Sequence, residues 1–473
     1  MLLELPFETL QIILTFLNRK ELARLEITCS LFQELTRRAW YNLLKTDYLL
    51  VSFPSSSSSS SSPMIEEAKK EYYQIYQRFE VYDGVTIGTY QTIKRIWDRI
   101  LDWVHDNDQQ SLLRFNNTRF KNNQQANGLN INTDSSIEFS IPLQPSSFVN
   151  PTHQHKTAKK GETDSALTVV RKMQLPSDYL VSVIMVNGQE VIGDHGFFGT
   201  LESYGQRISS TLLSIEASHK IYVARFERFR INSDSMFRKL WPITLCRQTH
   251  RTHNMVMETI QLTDDLTLQV GQIVIIPSNS RYAPIIVANS FAEFLDTMIT
   301  RLETHVYTLR GNTIIRYPET SPYITETVTN GVRVKGSAVY NPSSDRNTRL
   351  FFYRITISMD ADEDPSRSCI LISRHWDIRD GNDEINQVNG HAVIGQNPLI
   401  KPGTKFEYCS MCELRNDNGQ MSGYFLMLPT NQNGTPYSAV PDIQDEESWE
   451  DPNLQDLLVP VIVPPFILTI NQV

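Results

Sequence analysis

The chain has 473 residues, 40% of them hydrophobic and 21% charged, with a net charge of −9. That length is ample for two or three domains, and the acidic balance offers no basic face for nucleic acid. Five cysteines are too few for a disulfide framework. With no signal peptide, and no run near 18 apolar residues, we expect a cytoplasmic or nuclear protein without a membrane span.

Residues 1–48 stand apart, with 25 of 48 apolar against 40% overall and six acidic residues matching six basic ones. Leu10, Ile13, Leu14 and Leu17 recur at i, i+3, i+4 and i+7, and Leu22, Leu25, Cys29 and Phe32 at i, i+3, i+7 and i+10, so each set lies on one helical face. Leu5-Pro6 suits a helix start, and Asn18-Arg19-Lys20 breaks the two helices. Ile12, Phe16 and Ile27 fall off the stripes, leaving apolar surface of the kind that marks a partner site. Residues 49–80 follow as a linker, with serine from 55 to 62 between Pro54 and Pro63.

Residues 81–305 read as an α+β domain. Ile93, Ile96, Trp97, Ile100, Leu101 and Val104 form one helical stripe, and Phe291, Phe294, Leu295, Met298, Ile299 and Leu302 form another. Leu180–Val186 and Val270–Ile276 suggest strands. Residues 115–165, rich in Asn, Gln, Ser and Thr, read as a disordered insertion.

Residues 321–473 read as all-β. Phe351, Tyr353, Ile355, Ile357 and Met359 alternate with Arg354, Thr356 and Ser358, the signal of a half-buried strand. Ile370–Ile378, Lys405–Cys409, Tyr424–Leu428 and Ile467–Ile470 add strands. Turns such as Pro402-Gly403 and Asn433-Gly434 separate them, so a β-sandwich is expected.

Three stretches resemble known families. Leu5-Pro6, Ile13-Leu14-Thr15-Phe16-Leu17, Leu22-Ala23-Arg24-Leu25, Phe32 and Leu35 resemble an F-box, with Phe32 where that family usually has tryptophan. The resemblance implies docking onto a Skp-type adaptor, and through it a cullin scaffold, by Leu5, Pro6, Leu10, Ile13, Leu14, Leu17, Leu22, Leu25 and Phe32. Ser373-Arg374-His375-Trp376, Gly390 with Gly395-Gln396 and Pro398-Leu399, Lys401-Pro402-Gly403, Phe406 with Tyr408, and Pro464-Pro465-Phe466 resemble an ApaG domain in order and spacing. It implies a fibronectin-type β-sandwich. Leu175-Pro176-Ser177-Asp178-Tyr179 and Asn187-Gly188 resemble the entry to a SUKH (Smi/Knr-type) domain, generally a protein-binding module; on that reading Leu180–Val186 is helical. The expected fold is therefore multidomain: a small all-α F-box, an α+β SUKH-like middle domain and an all-β sandwich. This order resembles the F-box only protein three subclass.

The ApaG resemblance brings a glycine-rich segment proposed for nucleotides. Here its middle glycine is Ala392, and a phosphate cradle also wants a helix N-terminus behind it; a strand turn is the plainer reading. Arg374 and His375 are the better ligand-face candidates, on opposite sides of a strand, together with Gly390, Gly395 and Trp449, the aromatic in the acidic run from Asp442 to Asp451. Cys409 and Cys412 form a CxxC without a second pair for a metal, and Cys246, His250 and His253 lack a fourth ligand. The sequence calls for no catalytic residue, cofactor or metal. The expected role is a non-catalytic substrate receptor in a Skp–cullin–F-box ubiquitin ligase, with an unknown protein substrate. The alternatives are a ligand- or nucleotide-sensing ApaG protein tethered by an F-box, and an F-box scaffold outside the ligase.

Overall fold

The computed structural model describes residues 85–111, 113–117, 174–190, 193, 195–203, 206–229, 236–277, 282–342, 348–438 and 451–470. Near the start it also describes Leu14, Leu17, Glu21, Leu22, Arg24, Thr36, Ala39, Trp40, 42–47, Tyr72, Tyr73 and Ile75. Most of the F-box stretch, the serine run, the insertion beyond residue 117 and the acidic run with Trp449 lie outside the described residues. The chain divides into two compact units, 1–91 with 117–186, and 92–116 with 187–473. Among the described residues, no helix is long and apolar enough to cross a membrane.

In the first unit, Trp40 is fully buried and packs against Tyr72 and Tyr73, with ring centroids 5.3 Å away in each case. The Tyr72 hydroxyl donates to Asp47 at 2.8 Å, and the Gln91 amide donates to the Thr46 carbonyl, also at 2.8 Å. Tyr72 and Ile75 are helical and buried. The linker read over 49–80 therefore ends before Tyr72, because these side chains are tied into the fold. Helix α1, Ile87–Asp106, whose residues from 92 on belong to the second unit, carries the expected stripe, with Ile93, Ile96, Trp97, Ile100 and Val104 buried and Leu101 half-buried. Helix α2 spans Ser177–Met185, where a strand over Leu180–Val186 was one reading. Pro176 precedes it in extended backbone and Asp178 sits in the first turn, both suited to a helix start. The strand Val186–Gln189 begins only after it.

The second unit begins with mixed α and β elements. Helix α3 covers Ile215–Phe229 and α4 covers Phe291–Glu303. The Asn187 side chain accepts from Ile215 N at 2.9 Å, and Gly188 has φ +78°. A Cβ on Gly188 would stand 2.4 Å from Ser214 N, so the Asn-Gly pair anchors the start of α3 where no larger residue fits. Ser290 caps α4 by accepting from Glu293 N. All six residues of the predicted α4 stripe are buried.

The same domain holds two sheets. In chain order the strands are β1 Thr200–Ser203, β2 Gln206–Leu212, β3 Leu240–Pro242, β4 Thr244–Cys246, β5 His253–Val256, β6 Ile273–Ile275, β7 Ile285–Ala288, β8 Thr308–Arg310 and β9 Thr313–Ile315. One sheet runs β7-β6-β5-β3 and the other β8-β9-β1-β2-β4. Strands β8 and β9 extend this domain past residue 305, where the sequence reading ended it.

The C-terminal strands are β10 Thr325–Thr329, β11 Val332–Asn341, β12 Arg349–Met359, β13 Cys369–Asp380, β14 Ile385–His391, β15 Leu399–Ile400, β16 Lys405–Leu414, β17 Asn418–Pro429 and β18 Val459–Thr469. They build sheets in the order β10-β11-β12-β16 and β14-β13-β17-β18, the expected sandwich. Its core holds Phe351, Ile355, Ile357, Trp376, Phe425 and Phe466.

Strand β12 is not half-buried. Its odd-numbered residues face the sandwich core as read, but Leu350, Phe352, Arg354 and Thr356 on the other face are buried too. Leu350, Phe352 and Val339 join Leu201, Ile208, Cys246, Ile315 and Tyr317 in one apolar cluster, so the sheet β8-β9-β1-β2-β4 covers the sandwich. Arg354, 2% exposed, meets Glu319 at 2.8 Å and lies 5.4 Å from the Tyr317 ring centroid. The solvent face expected from its polar residues is a seam.

This seam predicts coupled unfolding. Phe352→Ala should cost about 3–5 kcal/mol through the cavity it leaves, and Glu319→Ala about 3 kcal/mol by stranding the buried Arg354 charge. Fluorine NMR of fluorotryptophan-labelled chain under urea should show Trp241 and Trp376, one in each domain, losing native signal together at a lowered midpoint. Separate midpoints would contradict the seam.

Candidate binding surfaces

Strand alternation sorts the candidate residues of β13. Trp376 is 2% exposed in the sandwich core, while His375, next to it, points outward. The His375 ring stacks on Tyr424 of β17, 4.7 Å between centroids and 15° between planes. Its Nδ1 contacts Asn389 Oδ1 of β14, and its Nε2 lies 3.3 Å from Asp377 Oδ1. Gln387 donates to the same Asp377 oxygen at 2.8 Å. Ile462 of β18 pairs with Tyr424 and is 45% exposed. Asn389, His375, Tyr424 and Ile462 thus form one row across four strands: a polar edge, an aromatic centre and an apolar end.

Arg374 is used differently. Its Nη1 donates to the carbonyls of His391 at 2.8 Å and Ala392 at 2.5 Å. A Cβ on the facing Gly390 would stand 3.1 Å from Arg374 Nη2, so glycine gives the guanidinium its place. Arg374 and Gly390 therefore come together as a clamp on the loop after β14. Gly395 lies at the far turn of that loop with φ +72° and open space around it. Ala392 and Ile394 also hold positive φ, +56° and +46°, in a region that L side chains avoid.

The loop's backbone donors are largely committed. Ala392 N donates to Ile372 O at 2.7 Å, Val393 N to Gln396 O at 3.0 Å and Gln396 N to Val393 O at 2.9 Å. The chain then enters β15, so a strand stands where a phosphate site would place a helix N-terminus. The arrangement matches a structural turn.

Cys409 and Cys412 sit three apart on β16 and so face opposite ways. Cys409 pairs with Arg354 on the seam side, and Cys412 pairs with Phe351 on the core side. Burial pushes the Cys409 thiol up to about 11 and the Cys412 thiol up to about 12. Both stay protonated near neutral pH, which suits packing rather than redox chemistry. Of the residues once weighed for zinc, Cys246 donates to Gln248 at 3.4 Å and His253 Nδ1 lies 2.6 Å from Thr244 Oγ1.

At the N-terminus, Leu14 is 3% exposed, Leu22 is fully buried and Leu17 is half-buried, with Leu17 N donating to Leu14 O at 3.3 Å. Leu14 and Leu22 are thus covered within the chain, leaving Leu17 the more accessible of the three. Leu5, Pro6, Leu10, Ile13, Leu25, Phe32 and Trp449 lie outside the described residues. Tyr424, read only as the start of a strand, and Ile462 were not among the candidate site residues; they come from strands distant in sequence, and only the β13–β17–β18 register brings them to His375.

Known proteins match the two ends of the chain. A model of the ApaG domain matches residues 340–429, and a model of the F-box domain matches residues 2–49. F-box only protein 3 of Homo sapiens and that of Bos taurus are each 24% identical to it over 281 residues, 56% of this chain and 56% of their own. The chain spans about half the length of these relatives. Protein ApaG of Acidovorax sp. (strain JS42) is 38% identical over 110 residues, 23% of this chain and 76% of its own.

The two neighbours on β13 should separate on mutation. Arg374→Ala should cost about 2 kcal/mol, the range for hydrogen bonds from a charged donor, and speed amide exchange across 390–396. His375→Ala, which removes an outward ring, should cost under about 1 kcal/mol and leave the loop protected. Urea midpoints with hydrogen exchange read both; equal effects would contradict the assignment.

Proposed function

We propose, for a chain that belongs to the ApaG family through its C-terminal domain and carries an F-box at its start, that it is the non-catalytic substrate receptor of a Skp–cullin–F-box ubiquitin ligase. The observation that carries this is the pairing of an F-box match at 2–49 with an ApaG match at 340–429 in one chain homologous to F-box only protein 3. The F-box docks on a Skp-type adaptor, and the adaptor joins it to a cullin scaffold. The middle domain, which we read as SUKH-like, and the ApaG sandwich hold the client protein.

The mechanism is proximity. Holding a client lysine beside a charged ubiquitin carrier raises its effective concentration, and chemistry is left to other subunits. The buried seam along β12 supports this role, because a joined pair of domains positions a client with less conformational freedom than two tethered ones. The row Asn389, His375, Tyr424 and Ile462 is the client surface we favour. The ligase acts in the cytoplasm or nucleus, which suits the free thiols of Cys246, Cys369, Cys409 and Cys412.

Leu17 is the docking residue to test, since Leu14 and Leu22 are already covered and would unfold the segment if charged. Affinity purification with mass spectrometry should recover adaptor and cullin with the full chain, and lose both with Leu17→Asp or without residues 1–48. Client proteins that accumulate on the truncated chain should carry less ubiquitin. Recovery of adaptor and cullin at full level without residues 1–48 would contradict the proposal.

A further inference from the structure

The middle domain holds a second polar site. A cavity of about 40 Å³ is lined by Phe198, His253, Phe294, Arg301, Tyr307 and Arg316 among others, and no aspartate or glutamate lines it. Arg316 follows β9, and its backbone N donates to Thr200 O at 3.0 Å. Among the described residues no carboxylate pairs with its guanidinium. The arm passes Gly199, where a Cβ would stand 2.5 Å from Arg316 Cγ; Gly199 also has φ +76°. The fold therefore makes room for an arginine that it leaves without a counter-ion, at a half-buried position where an unpaired charge is costly.

The neighbouring groups are donors. Thr244 Oγ1 accepts from His253 N at 3.0 Å and lies 2.6 Å from its Nδ1. The hydroxyl can accept from the backbone and donate to Nδ1 at once, and in that tautomer the ring proton is on Nε2. Burial, with Arg316 nearby, pushes the His253 imidazole down to about 3, so it stays neutral. Its ring sits beside Phe294, 5.1 Å between centroids. Tyr307 OH accepts from Arg301 at 2.7 Å, which leaves its own hydrogen to donate.

We propose that this cavity seats one carboxylate of a bound peptide, held by Arg316 with His253 Nε2–H and Tyr307 O–H. A guanidinium and two neutral donors match the two oxygens of a carboxylate. The volume admits that group and excludes a nucleotide or sugar. The carboxylate belongs to an acidic side chain or to a chain terminus. The site stands on its own geometry and does not depend on the ligase reading.

Calorimetry on the full chain, at fixed ionic strength, tests it with two probes: N-acetylglycine for a chain terminus and N-acetylglutamic acid α-amide for a side chain. At least one should give saturable 1:1 binding, and the tighter one names the source. Arg316→Met should weaken it at least tenfold without lowering the probe-free melting midpoint. Should that variant not fold, Tyr307→Phe should weaken it several-fold, and the His253 ring resonance of wild type should move with saturation. No saturable heat from either probe overturns the proposal. So does undiminished binding by whichever variant folds, or binding of inorganic phosphate in place of both carboxylates.

Discussion

The arrangement of the second unit depends on one strand being buried on both faces. Strand β12 supplies Phe351, Ile355 and Ile357 to the sandwich core and Leu350 and Phe352 to the cluster shared with the middle domain. A side chain the size of phenylalanine contributes on the order of 2–3 kcal/mol when fully buried, so several such groups hold two domains together far better than exposed ion pairs do. The ion pairs nearby are consistent with that ranking. Arg310 with Glu407 is half-exposed on the arginine side and adds little. Arg354 with Glu319 is different, since a guanidinium 2% exposed needs its partner simply to be tolerated.

The opposite ApaG sheet is covered on its outer side at one end, where Leu454 packs with Ile370, Ile372 and Leu428. On that sheet the row from Asn389 through His375 and Tyr424 to Ile462 lies on strands whose register is fixed by the core beneath. Recognition residues on strands are placed more reproducibly than residues on loops. The loop that invited a nucleotide reading is instead tied by its own backbone bonds and by Arg374, and its positive-φ residues record that constraint. The carboxylate cavity lies in the middle domain instead, so the two domains offer two different kinds of contact.

Much of this was legible in the sequence. Period-two alternation located β12, and the stripe from Phe291 to Leu302 located α4 with every member buried. The two family resemblances at the ends agree with the domain matches. The burial of Arg354 and Thr356 was not legible, because polar residues opposite an apolar face read as solvated. Leu350 and Phe352, on that same face, were the available signal. Leu180–Val186 was ambiguous as a short apolar run, which periodicity alone does not assign; Pro176 and Asp178 just before it were the helix-start cues. Tyr72 and Ile75 were absorbed into a linker because the serine run beside them dominated the composition. The meeting of His253 with Arg316 depends on β5 and the end of β9 converging from opposite parts of the domain, and no local pattern carries it.

The central claim is a division of labour: the F-box stretch takes the adaptor while the fused middle and ApaG domains stay free for a client. Hydrogen exchange on the full chain, with and without a purified Skp-type adaptor, measures it directly. The account predicts new protection confined to residues 2–49, with β13, β14 and β17 unchanged. Protection of the His375–Tyr424 row by the adaptor, or none within residues 2–49, would contradict it.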